Sequence, residues 1–150
     1  MRNLKIHRTV NAPRSNVWAV LADYPNIADW NAGVNKSYSL GDATEGVGAE
    51  RMFELDGNVV MHETVTEWTP EKRLVIAIDK IEKMPVIEAT MTFTLTNGGD
   101  TTPLTMSYDY TPKGGPFGFL IAAMMGRPMN KGFNGFVDNL ETAAQAVPTS

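Results

Sequence analysis

The sequence contains no cysteine, and this absence excludes three kinds of chemistry. A disulfide framework, a thiol nucleophile and a thiolate metal site all require the cysteine sulfur. Stability must therefore come from the burial of apolar side chains. The 150 residues, 43% of them hydrophobic, are enough for the core of one ordinary domain, so we expect residues 1–150 to form a single ligand-binding domain.

Basic residues are also few. The chain has 13 Lys and Arg against 17 Asp and Glu, a net charge of -4, and no basic run. Because proteins that bind nucleic acid neutralise phosphates with clustered basic groups, we expect no nucleic-acid partner. No uncharged apolar run approaches about 18 residues, and the first residues lack the apolar region of a signal peptide. We therefore expect no integral membrane segment and a cytoplasmic location.

Familiar catalytic and cofactor-binding motifs are missing as well. The sequence has no G-x-S-x-G nucleophile motif and no glycine fingerprint for dinucleotides or nucleotide phosphates. His7 and His62 are far apart, and neither has a second ligand at helical or hairpin spacing. We therefore predict no metal site and no cofactor.

The first part of the chain has the pattern of one strand followed by two short helices. Apolar and polar residues alternate over residues 4–10, which predicts a half-buried strand. Asn11, as the expected N-cap, and Pro13, in the first turn, then indicate a short helix over residues 13–22. A second short helix is predicted near residues 27–30.

The middle of the chain, residues 34–112, has strand patterns separated by turn residues and predicts an antiparallel meander of about six strands. Its clearest segment, residues 89–96, alternates apolar residues with threonine, which indicates one buried and one solvated face. A four-residue loop at 98–101 would set Leu95 opposite Leu104, so that the apolar sets of both strands share one face.

A helical period returns after this meander. Apolar residues recur every three or four positions from Phe117 to Ala144, which predicts a long C-terminal helix. The apolar face of the sheet must be covered, and this helix is the only large apolar element available. We therefore expect the sheet to curl around the helix, and the space where their surfaces diverge is the candidate pocket.

Several motifs, in this order, carry a family resemblance. They read Val10-x-Ala12-Pro13-x-x-x-Val17-Trp18-x-x-Leu21-x-Asp23, then Trp30, then Gly46-Val47-Gly48-x-x-Arg51, then Glu63-x-Val65-x-Glu67-Trp68-x-Pro70-x-x-Arg73-Leu74. Together with the long final helix they resemble the polyketide cyclase/dehydrase-like branch of the START-like, or helix-grip (SRPBCC), superfamily. The resemblance covers nearly the whole chain. It implies an α+β fold of order β-α-α-β6-α, with a curved antiparallel sheet wrapped around the C-terminal helix and a deep cavity, but it implies much less about activity.

Arg51 and Glu63 are the main polar candidates, and they flank a predicted turn at residues 56–58. A three-residue loop sets Arg51 opposite Glu63, whereas a two-residue loop would set Glu50 opposite Glu63, with like charges facing each other. We therefore predict the three-residue loop. On the cavity face this pair would anchor a ligand carbonyl, phenol or carboxylate; on the outer face it would be an exposed ion pair of little energetic consequence.

The predicted pocket wall combines these two charges with aromatic and methionine side chains. Tyrosine hydroxyls on the apolar face can donate to a ligand oxygen, and methionines give an adaptable wall; for each of them, plain core packing is the alternative. The predicted ligand-binding residues are Arg51, Phe53, Met61, Glu63, Met91, Phe93, Met106, Tyr108, Tyr110, Phe117, Met124, Met125 and Phe133.

Three functions stay open at this point. The first is binding or transport of a hydrophobic small molecule such as a lipid, a quinone or a polyketide-like aromatic, and we favour it because it needs only a dry cavity, an entrance and a few polar anchors. The second is an aromatase/cyclase or dehydratase-type enzyme with Glu63 as its catalytic residue. The third is a protein-interaction module, for which the sequence shows no plain apolar patch. The oligomeric state also stays open, with a homodimer as one alternative.

Overall fold

The protein, described here over residues 2–148 from a computed structural model, has the predicted element order β-α-α-β6-α. Two short helices follow the first strand, six strands follow in succession, and short 3-10 turns precede the second and third helices. The elements are β1 (Arg2–Val10), α1 (Arg14–Ala22), α2 (Ile27–Trp30), β2 (Val34–Leu40), β3 (Glu50–Leu55), β4 (Val59–Thr69), β5 (Arg73–Glu82), β6 (Val86–Leu95), β7 (Thr102–Pro112) and α3 (Gly118–Ala146).

The seven strands form one antiparallel sheet in the order β1-β7-β6-β5-β4-β3-β2. Strands β2 to β7 follow the meander that the sequence predicts, and β1 pairs with β7 along its whole length. The predicted pairing of Leu95 with Leu104 is confirmed. Two register shifts between β4 and β5 interrupt the ladder, and such irregularities bend and twist a sheet. The curved sheet wraps around α3, as in the predicted helix-grip fold.

The helix α3 is 29 residues long and holds the sheet and α1 together through its C-terminal half. Leu140 and Ala144 are fully buried there, in one apolar cluster with side chains of the sheet and of α1. Polar contacts support the same half: Asn16 of α1 donates to the carbonyl of Ala144 at 3.1 Å, and Arg8 of β1 contacts Asp138 at 2.6 Å. Among the described residues no helix is long and apolar enough to cross a membrane.

The start of α1 differs from the prediction. The helix begins at Arg14 with Pro13 in the N-cap position and no side-chain cap, so the predicted capping role of Asn11 is wrong. Asn11 instead links the chain to α3: its backbone N–H donates to Oε2 of Glu141 at 2.8 Å, and its carbonyl accepts from Gln145 at 3.1 Å. The backbone groups of Asn11 thus bond to side chains of α3 at the protein surface.

The turn between β3 and β4 confirms the predicted three-residue loop, Asp56–Asn58. Arg51 lies opposite Glu63, in the register that this loop length requires. Gly57 has φ +78°, a left-handed conformation that side chains with a Cβ disfavour. The geometry of one glycine therefore contributes to the register of the pair.

Replacing Gly57 by alanine should lower the free energy of unfolding by about 1 kcal/mol, because alanine is strained at this φ. The matched control is Gly126→Ala inside α3, where no atom lies within 4 Å of the added Cβ. It should raise the free energy of unfolding by about 1 kcal/mol through helix propensity. Urea unfolding followed by circular dichroism measures both changes, and equal effects from the two substitutions would contradict the assignment of strain to Gly57.

Candidate functional site

A cavity of about 610 Å³ lies between the sheet and the N-terminal half of α3. This volume is within the range typical of small-molecule sites. Strands β3 to β7 form one wall, and α3, α2 and the start of β2 complete it. The cavity opens along the flank of α3, since some residues of its wall are also exposed to solvent; these are Gly33, Pro85, Met124, Pro128 and Gly132.

Most of the predicted ligand-binding residues lie on this cavity wall. The alternation along each strand places every second side chain on the cavity side, which is why the strand pattern located the residues on β3, β4, β6 and β7. The helical period located the three residues on α3. Whether they contact a ligand stays a prediction. The residues in question are Arg51, Phe53, Met61, Glu63, Met91, Phe93, Met106, Tyr108, Met124, Met125 and Phe133.

Tyr110 and Phe117 lie outside the wall. Tyr110 is buried on the same face of β7 as Tyr108 and stacks on it, with ring centroids 5.4 Å apart, so it packs behind the wall. Phe117 lies in the turn before α3 and is 65% exposed, because the helix begins only at Gly118. The helical pattern on the sequence therefore extends one residue beyond the actual start of the helix, from Gly118 to Phe117.

An exposed apolar patch lies at the start of α3, although no such patch is plain from the sequence. Phe117, Phe119, Leu120 and Met124 are all exposed there. Met124 belongs both to this patch and to the wall of the cavity, so the patch adjoins the opening.

Sequence reasoning missed other wall residues, for two reasons. Some could have been predicted with the patterns already used, namely the alternation of side chains along β3 and β5 and the helical spacing along α3. Others lie in or after α2 or in the β5–β6 connection, where no periodic pattern marks the cavity side. The first group is Leu55, Ile76, Ile78, Ile121, Pro128, Gly132 and Phe136, and the second is Ile27, Asn31, Gly33, Val34, Met84 and Pro85. Met129, which the sequence places in the methionine wall with Met124 and Met125, also lines the cavity.

Arg51 and Glu63 form a buried ion pair on the cavity side of the sheet. The Nε and Nη2 atoms of Arg51 lie 2.7 and 2.6 Å from Oε1 of Glu63, and the two side chains are only 7% and 6% exposed. Nη1 of Arg51 donates to the backbone carbonyl of Tyr24 at 2.7 Å. The guanidinium also lies 3.9 Å from the centroid of the Tyr24 ring. This geometry excludes the exposed ion pair that was the alternative interpretation.

Tyr108 carries a hydroxyl on the wall of the same cavity. Burial raises the pKa of this hydroxyl well above its ordinary value, and the negative charge of Glu63 raises it further. The pKa of Tyr24 is raised for the same two reasons, with Arg51 acting in the opposite direction. Tyr108 is therefore a neutral phenol, able to donate a hydrogen bond, across the physiological pH range.

The rest of the wall is almost entirely apolar. Among the described wall residues, polar side chains belong only to Asn31, Arg51, Glu63 and Tyr108. The side-chain carbonyl of Asn31 already accepts from the backbone of Gly33 at 3.0 Å and from Asn139 at 3.1 Å. Seven of the nine methionines of the chain line the cavity; they are Met61, Met84, Met91, Met106, Met124, Met125 and Met129.

The two histidines lie away from the cavity. His62 is buried on the opposite side of β4 from Glu63, and its two ring nitrogens contact carboxylate oxygens of Glu50 and Asp79. His7 contacts the hydroxyl of Thr105 at 3.0 Å. Within residues 2–148 no group of three or more His, Asp or Glu side chains is arranged to hold a metal ion.

The raised tyrosine pKa values predict a loss of stability at alkaline pH. Above about pH 10 the unfolded chain releases phenolic protons that the folded protein keeps on Tyr24 and Tyr108, so the free energy of unfolding falls as the pH rises. Each group contributes a slope of about 1.4 kcal/mol per pH unit.

The substitution Tyr108→Phe should remove one such slope between about pH 10 and pH 11, as measured by urea unfolding at a series of pH values. The control Tyr38→Phe, which removes an exposed hydroxyl from the edge strand β2, should keep the slope of the parent protein. A Tyr108→Phe variant with an unchanged slope would show that this hydroxyl ionises freely in the folded protein.

Solved structures with the same fold have low sequence identity to this chain. The crystal structure of TTHA0849 from Thermus thermophilus matches with a TM-score of 0.80 and 17% identity, over 99% of this chain and 100% of that chain. The crystal structure of the ZhuI aromatase/cyclase from Streptomyces sp. R1128 matches with a TM-score of 0.80 and 17% identity, over 96% and 93%. That of Ara h 8.0201 matches with a TM-score of 0.75 and 8% identity, over 97% and 99%. At such identities the likeness shows the fold alone.

Sequence comparison gives the family. No curated protein matches the chain. The family described as polyketide cyclase / dehydrase and lipid transport matches residues 1–145, which is nearly the full length. This match agrees with the family that the sequence motifs resemble and with the helix-grip architecture of the structure. The chain therefore belongs to the polyketide cyclase/dehydrase and lipid transport family.

Proposed function

We propose that the protein binds a hydrophobic small molecule, such as a lipid, a quinone or a polyketide-like aromatic, between the sheet and α3. The observation that carries this proposal is the cavity of about 610 Å³, open to solvent and lined by apolar side chains around one buried ion pair. Apolar side chains that face a cavity lack part of the packing contacts that a core side chain has. An apolar ligand supplies those contacts and removes the wall from water.

The composition of the wall supports an adaptable binding site. Methionine is unbranched and polarizable, so a wall rich in methionine adjusts to ligands of irregular shape. The opening along α3 provides a way in and out without unfolding of the core. The family description names lipid transport, which agrees with a carrier. The exposed patch at the start of α3 does not specify a partner by its chemistry, so we do not propose a protein-interaction module.

Gly132→Trp should weaken binding of the neutral dye N-phenyl-1-naphthylamine about tenfold or more, because the new ring occupies the cavity at its opening. Gly132 lies on the wall, and no atom lies within 4 Å of an added Cβ, so the substitution need not disturb the fold. The matched control Gly126→Trp places the same ring elsewhere on α3 and should leave affinity unchanged. Dye fluorescence measures binding, and a parent protein that fails to bind the dye would refute the carrier function.

A second candidate function is catalysis of aromatisation or dehydration. The observation in its favour is that a carboxylate, Glu63, and a neutral phenol, Tyr108, lie on the wall of one apolar cavity, as a base and an acid would. The family description names cyclase and dehydrase chemistry, and the structurally similar ZhuI protein is called an aromatase/cyclase.

For this second function, the protein should convert a linear poly-β-ketone substrate to a cyclic product with loss of water, detected by mass spectrometry. Glu63→Gln should abolish turnover while binding of the neutral dye is kept. Full turnover by that variant would remove Glu63 from the mechanism, and absence of turnover by the parent protein would leave binding as the only function.

A further inference from the structure

We infer that the cavity selects neutral ligands that carry a hydrogen-bond donor, such as an alcohol, phenol or enol hydroxyl, over carboxylates with the same apolar body. This inference rests on the proposed binding function and names the class of ligand. The selectivity follows from two observations: the charge of Arg51 is compensated within the protein, whereas Glu63 has one carboxylate oxygen without a protein donor in residues 2–148.

The positive charge of Arg51 is already compensated. Two of its nitrogens contact Oε1 of Glu63, and a third donates to the carbonyl of Tyr24. The ring of Tyr24 covers the guanidinium at 3.9 Å. A ligand carboxylate that enters the cavity therefore meets a pair with no net charge. It would lose its hydration without gaining a counterion, which is strongly unfavourable in an apolar site.

Glu63, in contrast, offers a free acceptor. Both short contacts from Arg51 end on Oε1, so Oε2 accepts from no protein group in residues 2–148. A carboxylate oxygen on the wall of an apolar cavity gains from a donor, and hydrogen bonds to charged groups are stronger than those between neutral groups. A ligand hydroxyl that donates to Oε2 supplies the missing partner at the one strongly polar point of the wall.

Tyr108 places a second polar group on the cavity wall. Burial, and after it the charge of Glu63, raises the pKa of this hydroxyl and keeps it neutral. A ligand carboxylate in the same cavity would meet the same cost of burying a negative charge. The neutral phenol of Tyr108, however, can donate to the oxygen of a ligand hydroxyl or carbonyl. Both polar groups thus favour a neutral ligand.

Three ligands with one ring system test this selectivity: 2-naphthol, 2-methylnaphthalene and 2-naphthoate, each displacing N-phenyl-1-naphthylamine at neutral pH. The parent protein should bind 2-naphthol about tenfold more tightly than 2-methylnaphthalene, since one charge-assisted hydrogen bond is added. It should bind 2-naphthoate more weakly than both.

Glu63→Gln should reverse this order. The substitution leaves Arg51 without its counterion, so 2-naphthoate should become the tightest ligand of the three. The matched control is Glu67→Gln on the same strand, where the carboxylate contacts Arg73 at 2.9 Å in an exposed ion pair. This control should keep the ligand order of the parent protein.

A second variant covers the case in which an unpaired Arg51 prevents folding. The double substitution Arg51→Met with Glu63→Met replaces the ion pair by apolar side chains of similar length, a change that proteins often tolerate. It should keep dye binding and lose the preference for 2-naphthol over 2-methylnaphthalene. Persistence of that preference would overturn the inference.

The failure of the inference differs from the failure of the binding function. If the parent protein binds the dye but takes 2-naphthoate as tightly as 2-naphthol, the cavity is a binding site without the proposed selectivity, and the inference is overturned. If the parent protein binds neither the dye nor any of the three ligands, both proposals are refuted.

Discussion

The antiparallel register between β3 and β4 determines the chemistry of the cavity. Side chains alternate between the two faces of a strand, so the pairing of Arg51 with Glu63 puts both charges on the same face as their apolar neighbours. A slip of one residue, as with a two-residue loop, would set Glu50 opposite Glu63 and leave Arg51 on the other face of the sheet, so the ion pair could not form. The short turn around Gly57 therefore helps to determine which side chains face the cavity, although it lies outside the cavity wall.

The helix α3 has two structural roles, divided along its length. Its C-terminal half closes the core, where Leu140 and Ala144 are fully buried against the sheet and α1. Its N-terminal half bounds the cavity and packs less tightly, with Met124 exposed at the opening. Gly126, Pro128 and Gly132 in this half have low intrinsic helix propensity. The part of the helix that bounds the cavity is thus also the part least fixed by packing, as the proposed binding function requires of a wall that admits molecules.

The fold was predictable from the sequence because its signals are local. Alternation, turn residues and helical period specify the strands, their order and α3, and the strand side of the cavity follows from period two. The remaining features depend on contacts between residues distant in the chain. The carbonyl of Tyr24, which accepts from Arg51, is separated from it by 27 residues, and no pattern indicates that contact. Asn11 has the residue type of a helix cap, yet tertiary contacts to α3 give its backbone other partners. The wall after α2 escaped prediction for the same reason.

The methionines also make the cavity wall sensitive to oxidation. Because the chain has no cysteine, their thioethers are its only sulfur groups, and seven of the nine surround the cavity. Oxidation to the sulfoxide turns a flexible apolar side chain into a polar one. Met124, 76% exposed at the opening, is the first of the wall methionines that an oxidant in solution would reach, whereas Met91 and Met106 are buried on the sheet. An oxidant would therefore change the polarity of the entrance before that of the interior, and the affinity of the cavity for apolar molecules would depend on the redox history of the protein.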